Sequence, residues 1–136
     1  MISVMPAEFT WNDQCHSLGL PEMDDTHREF VALLVRAQNA PNAELLPILD
    51  ALLDHTRSHF DHESEMMAAC ALGSRAEHEA EHRRVLAELS QMRSRAEKGR
   101  FPFVRAYLAD GVPDWFRTHL ATMDADLAGK YKRTFP

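Results

Sequence analysis

The sequence predicts an all-α protein, an antiparallel up-down-up-down four-helix bundle preceded by an N-terminal arm. Apolar residues recur at spacings of three and four through most of the chain, and no stretch alternates with the period of two that a strand requires. Turn residues at Pro41-Asn42, Gly73-Ser74 and Gly99-Arg100 cut the periodic runs into helical lengths joined by short connections, the pattern of antiparallel neighbours. At 136 residues the chain suits a single domain, 1–136, burying roughly 65–70% of its unfolded surface.

Residues 1–21 lack strong periodicity: Phe9, Trp11, Leu18 and Leu20 are separated by Asn12, Asp13, Gly19 and Pro21, as expected of an ordered arm laid across the bundle. The bundle proper is expected over 22–129. Its first helix starts near Glu22 or Met23, carries His27, Phe30, Val31 and Leu34 on one face, and ends before Pro41. The second starts at Pro41-Asn42, accepts Pro47 near its amino end, and runs to about Leu72 with Gly73 as its C′ residue. Ser74-Arg75-Ala76-Glu77 reads as a capping box opening a third helix, which ends at Lys98-Gly99. A fourth helical region follows Arg100-Phe101-Pro102. Its pattern is interrupted at Asp110-Gly111-Val112-Pro113, restarts with Trp115, Phe116, His119, Leu120, Met123 and Leu127, and stops at Gly129.

Function shows in what fills the apolar stripes. Stepping along the second helix by threes and fours gives Leu45, Leu49, Leu52, Thr56, His59, Glu63, Met66 and Cys70; along the third, His78, His82, Val85, Leu89, Met92 and Ala96. Residues four apart lie about one turn apart on one face, so His59 with Glu63 and His78 with His82 each aim at one spot. These positions would ordinarily hold Leu or Val. Burying a carboxylate and several imidazoles costs several kcal/mol unless they are paired, hydrogen-bonded or metal-bound. A lone core histidine is most often a satisfied polar group, but all four helices carry one and two helices carry pairs. With His27, His119 and a carboxylate on the last helix the count reaches seven donors, enough for two ions sharing carboxylates. Imidazole and carboxylate donors suit iron, zinc, copper and nickel alike, so spacing alone leaves the metal open.

The remaining composition mostly excludes. A net charge of −6 without a Lys/Arg run argues against nucleic acid or an anionic membrane as partner. Cys15 and Cys70 are isolated thiols, which fits a reducing compartment. Met1–Glu8 has no basic segment leading into an apolar run, and no later stretch approaches ~18 apolar residues, so a cytoplasmic location is expected. His55 and His62 flank His59 and are expected to be partly exposed, and His16 carries no signal. Met66, Met67, Met92 and Met123 read as adaptable core filler.

His27, the His59–Glu63 pair followed by Met67, the His78–His82 pair, and Trp115-Phe116-Arg117-Thr118-His119 followed by Asp124 resemble the signature of the hemerythrins, specifically single-domain bacteriohemerythrins, over roughly residues 9–128. The resemblance implies a non-haem di-iron site that binds O2 reversibly. His78, His82 and His119 would ligate one iron and His27 and His59 the other, with Glu63 and Asp124 bridging and the second iron keeping an open position. Phe116 resembles the family's apolar wall around that position, and Phe60 and Trp115 are further candidates for the O2 pocket. One point divides geometry from resemblance. On an ideal helix Asp124 lies about 140° from His119, whereas Asp126, seven residues on, lies nearly in line. Spacing would choose Asp126; the family pattern chooses Asp124.

The expected role is an oxygen carrier, store or buffer rather than an enzyme, with two irons as cofactor, O2 as partner and no protein partner specified. An O2- or redox-responsive interaction module is the alternative, and an iron enzyme handling peroxide or nitric oxide ranks lower, because no side chain outside the ligand set is recognisably placed to deliver protons.

Overall fold

The computed structural model describes residues 9–136; the first eight residues of the expected arm, including the Met1–Glu8 stretch, lie outside the described residues. The elements are α1 (Asp13–His16), α2 (Pro21–Asn39), α3 (Asn42–Ala69), α4 (Arg75–Glu97), and a fourth long helix made of α5 (Phe101–Ala106), α6 (Val112–His119) and α7 (Ala125–Thr134), joined through two π-helical turns at Tyr107–Gly111 and Leu120–Asp124. No strand occurs among the described residues, and α2, α3, α4 and the composite α5–α7 make the four-helix bundle. None of the described helices is long and apolar enough to cross a membrane.

The expected interruption at Asp110–Pro113 is corrected to a widened turn inside a continuous helix. Pro113 has no N–H to return to the preceding turn. The turn opens by one residue, Val112 N–H bonds to the Tyr107 carbonyl, and Gln38 Nε2 donates to the Leu108 carbonyl at 2.8 Å. Gly111 is the residue such a turn tolerates here, since a Cβ at this position would lie 2.9 Å from the Tyr107 ring. The expected stop at Gly129 is corrected as well, because the helix continues to Thr134. Tyr131 packs on the cluster around Leu127, and Lys132 Nζ donates to the Leu18 carbonyl at 2.7 Å, so contacts beyond the glycine hold the last turns.

Two further boundaries shift. α3 ends at Ala69 rather than Leu72, and its left-handed C′ residue is Ala71 (φ 51°), not Gly73. Leu72 N–H bonds to the Met67 carbonyl at 3.0 Å in the closure expected of such an end, while the Leu72 side chain turns inward against Met23, Met66 and Met67. Ser74 stands at the N-cap of α4 without capping it, and its hydroxyl donates instead to Asp126 Oδ2 at 2.6 Å. The capping box is therefore not formed.

The core has two apolar parts. The larger runs from Phe30, Leu34 and Leu45 through Leu52, Val85 and Leu89 to Leu108 and Phe116; the smaller joins Met23, Met66, Met67, Cys70, Leu72 and Leu127. Met92 and Met123 are only partly buried. The arm is fastened by buried Asp24, whose two oxygens accept from Ser17 Oγ (2.9 Å) and Leu18 N–H (2.8 Å). It lays Phe9 edge-on against Phe116 and Trp11 beside His27.

Candidate metal centre

All seven expected donors are buried: His27 on α2, His59 and Glu63 on α3, His78 and His82 on α4, His119 at the end of α6, and Asp124 at the end of the second π turn. That turn resolves the conflict between the two aspartates. Ala125 N–H reaches five residues back to the Leu120 carbonyl, and the Thr122 hydroxyl donates to the Thr118 carbonyl beside it. The extra residue per turn carries Asp124 round to His119, whose Nε2 lies 3.1 Å from Asp124 Oδ1. Asp126 is exposed and holds Ser74. The ideal-helix preference for Asp126 is thus overturned.

The carboxylates are the hub. Glu63 Oε1 lies 3.2 Å from His78 Nε2 and 3.3 Å from His82 Nε2; its other oxygen bonds His59 Nε2 and lies 3.5 Å from His27 Nε2. Asp124 repeats the division, with Oδ1 3.2 Å from His78 Nε2 and Oδ2 3.2 Å from His27 Nε2. Each carboxylate therefore offers one oxygen to a three-histidine group, His78, His82 and His119, and the other toward the pair His27 and His59. Single donor atoms of Glu63, His78, His82, His119 and Asp124 fall within 4.8 Å of one another, as do those of His27, His59 and Glu63.

Only the His59–Glu63 contact is a hydrogen bond. The Nε2 atoms of His27, His78, His82 and His119, Glu63 Oε1 and both Asp124 oxygens are buried without a hydrogen-bond partner. Leaving so many lone pairs dry is costly, at roughly 1–3 kcal/mol for each unsatisfied group, and a cation is what that donor set fits. Protons stand in for it electrostatically. Burial opposes a charged ring at His27 and His78, but the neighbouring Asp124 and Glu63 carboxylates outweigh it and raise both to about 9. For His82 burial prevails, and its affinity for a proton falls. Burial pushes against ionisation of Glu63 and Asp124 too, yet the surrounding imidazoles hold Glu63 well below the usual carboxylate range and lower Asp124 likewise.

Aromatic rings fix the imidazoles. Phe60 stacks parallel on His82 with centroids 3.7 Å apart, Trp115 stacks on His119 at 4.8 Å while its Nε1–H donates to Glu81 Oε1 at 2.9 Å, and Phe116 meets His27 edge-on at 5.7 Å. Phe60, Trp115 and Phe116, together with Phe30, line a pocket bordered by His59, His119 and Asp124 that is too narrow to admit water. Phe30 was legible only as core, and its pocket position follows from its stack on Phe116 at 5.1 Å. Trp11 and Phe9 carried no site signal because the arm has no periodicity that could orient them. His55 and His62 remain outside the cluster and pair with Glu29 and Glu22, as their partial exposure requires.

Fold and site together define an antiparallel helical bundle with a buried cluster of five histidines and two carboxylates that could hold metal ions. The model of the hemerythrin HHE cation binding domain matches residues 18–131, and a bacteriohemerythrin of Ralstonia nicotianae is 33% identical over 114 residues, covering 84% of this chain and 82% of that protein. The chain belongs to the hemerythrin family. Its fold superimposes on crystal structures of a wild-type hemerythrin (TM-score 0.78, 22% identity, 88% of this chain and 94% of that one) and a hemerythrin point mutant (TM-score 0.81, 21% identity, 90% and 95%).

Proposed function

We propose that the protein holds a pair of iron ions and binds O2 reversibly, as an oxygen carrier, store or buffer rather than an enzyme. The observation that carries this reading is the division of both carboxylates between the two histidine groups, which is what bridging two ions requires. His78, His82 and His119 would hold one ion and His27 and His59 the other, with Glu63 and Asp124 shared. A bound pair of ferrous ions would supply the electrons for reversible O2 binding. The chain contributes three things. The shared carboxylates hold a fixed negative charge beside both ions. The unequal histidine count gives the His27–His59 side one donor fewer, so an ion held there would have room for an external ligand. Phe30, Phe60, Trp115 and Phe116 keep water and proton donors from the pocket between His59, His119 and Asp124, which favours release of O2 over loss of a reduced product.

The same features weigh against catalysis of peroxide or nitric oxide turnover: the pocket walls named above carry no carboxylic acid or hydroxyl besides Asp124 itself. Metal analysis and one pair of optical spectra test the reading. Protein expressed with ample iron should carry two irons per chain, and the reduced form should gain a visible charge-transfer band in air and lose it when O2 is removed. One zinc and no iron, or a band that never reverses, would overturn it.

A further inference from the structure

Two openings reach the cluster from the surface, and only one of them is lined by a fixed cation. One, of about 260 Å³, lies between α2 and α3, where Thr26, Glu29, His55, Ser58 and His62 surround a floor formed by His59. The other, of about 160 Å³, lies between α3 and α4, with Ser64, Glu79 and Arg83 around His82. His59 is 93% buried, its Nδ1 has no hydrogen-bond partner, and it is the most exposed of the seven donors at 7%.

The α2–α3 groove is framed by two imidazole–carboxylate rungs. His55 Nε2 meets Glu29 Oε2 at 3.0 Å, and His62 Nε2 lies 3.4 Å from Glu22 Oε2. Because the helices are antiparallel, Glu22 and Glu29 on one match His62 and His55 on the other, each pair seven residues apart. The rungs therefore stand about 10 Å from each other along the helix. No single ion can be chelated by both, which separates this arrangement from a third metal site. What the rungs do share is chemistry: exchangeable oxygen and nitrogen donors, two carboxylates, and no lysine or arginine lining the groove. The α3–α4 opening also has two carboxylates, Asp61 and Glu79, but the Arg83 cation lines it with them and Arg75 stands 3.6 Å from Glu79, so fixed positive charge offsets its carboxylates.

We propose that the α2–α3 groove is the port through which divalent metal ions enter and leave the centre, with Glu22, Glu29, His55 and His62 recruiting a hydrated cation and passing it to His59. This rests on the metal-centre reading above and adds a route to it. The port residues are not ligands of the final site, so replacing them leaves the final affinity nearly unchanged. Microscopic reversibility then requires exit to slow by the same factor as entry.

The test is exchange of bound iron for isotopically labelled ferrous ion in the reduced, metal-loaded full-length protein under anaerobic conditions, followed by mass spectrometry. Glu22→Gln with Glu29→Gln should slow exchange by about tenfold at low ionic strength, the lower end of what electrostatic focusing provides, and the difference should shrink with added salt. His55→Gln with His62→Gln should slow it in the same direction. All variants should keep two metals per chain at equilibrium, and Glu79→Gln on the other opening should exchange like the parent. Equal exchange in parent and groove variants, or slowing by Glu79→Gln alone, would overturn the port. A parent protein holding other than two metals would instead overturn the centre on which the port depends.

Discussion

The fourth helix contains two π turns of equal length and unlike origin. The first, Tyr107–Gly111, has a local cause in Pro113, whose missing N–H would leave a gap in any regular helix, and its loose carbonyl at Leu108 is taken up by Gln38. The second, Leu120–Asp124, contains neither proline nor glycine. Nothing in its own residues demands a widened turn. Its support comes from across the bundle, where Asp124 faces His27, His78 and His119. One turn is imposed by the chain and absorbed by packing, while the other is held by the cluster it completes. An irregularity with a sequence cause can be structural only; one without such a cause points to function.

The strongest way to break this comparison is to remove what the second turn delivers. Asp124→Ala should lose both metals, because the residue touches both histidine groups, whereas Asp126→Ala should keep two metals and melt within a few degrees of the parent, having lost only an exposed hydrogen bond to Ser74. Metal content and thermal melts read both, and retention of two irons by Asp124→Ala would mean that the second turn serves packing after all.

Next in size is Phe116, which lies between the turns and touches Phe9, His27 and Phe30. Phe116→Ala should cost about 3–5 kcal/mol, as truncation of a buried Phe does, and should speed oxidation of the reduced protein in air while two metals stay bound. An unchanged oxidation rate in the folded variant would remove Phe116 from the guard of the pocket.

Metal removal sharpens the same contrast through pH. In the metal-free protein His27 and His78 bind protons up to about 9, above their ordinary 6.5. Their contribution to stability is present in full below about 6.5 and is lost as pH rises through 9. Glu63 and Asp124 are lowered, so theirs is present above the ordinary carboxylate range and lost as pH falls. The metal-free melting temperature should peak between about pH 5 and 6.5 and decline toward pH 9, while the metal-loaded protein, whose histidines no longer take up those protons, should stay flat over that upper range. Parallel pH profiles for the two forms would count against a cluster that exchanges protons for metal.

The smallest effect is expected at the first turn. Gly111→Ala brings a Cβ within 2.9 Å of the Tyr107 ring, which must swing aside; about 1–2 kcal/mol of stability should be lost without change in metal content. A metal-depleted Gly111→Ala protein would show that the first turn also sets the site.

The sequence was most legible where the helix is regular. Leu45, Leu49, Leu52 and Thr56 are buried at the spacing that placed His59 and Glu63 among them, and the stripe through Val85 and Leu89 likewise carries His78 and His82 inward. It was least legible where a tertiary contact changes the count of residues per turn. Pro113 and Gly111 read as a break because local propensity cannot reveal Gln38 waiting on another helix. Gly129 read as a stop because the anchors of Tyr131 and Lys132 belong to the arm and the small cluster. Ser74 had the right spacing for a capping box, but Asp126 competes for its hydroxyl, and that competitor lies fifty-two residues away. Asp124 was recoverable only through the family pattern, since no uniform helical period puts it beside His119.

The second π turn amounts to one residue inserted into an otherwise regular helix, so it marks how this molecule stands toward small genetic change. Each residue added to or taken from a helix rotates everything beyond it by about 100°. Because the widened turn already absorbs the inserted residue, losing a single codon between His119 and Asp124 would return the turn to the regular α period and leave Leu127 and Ala128 on the face they now bury. A codon lost from α3 or α4, which contain no widened turn, finds no such slack and would swing every donor beyond it off the shared face.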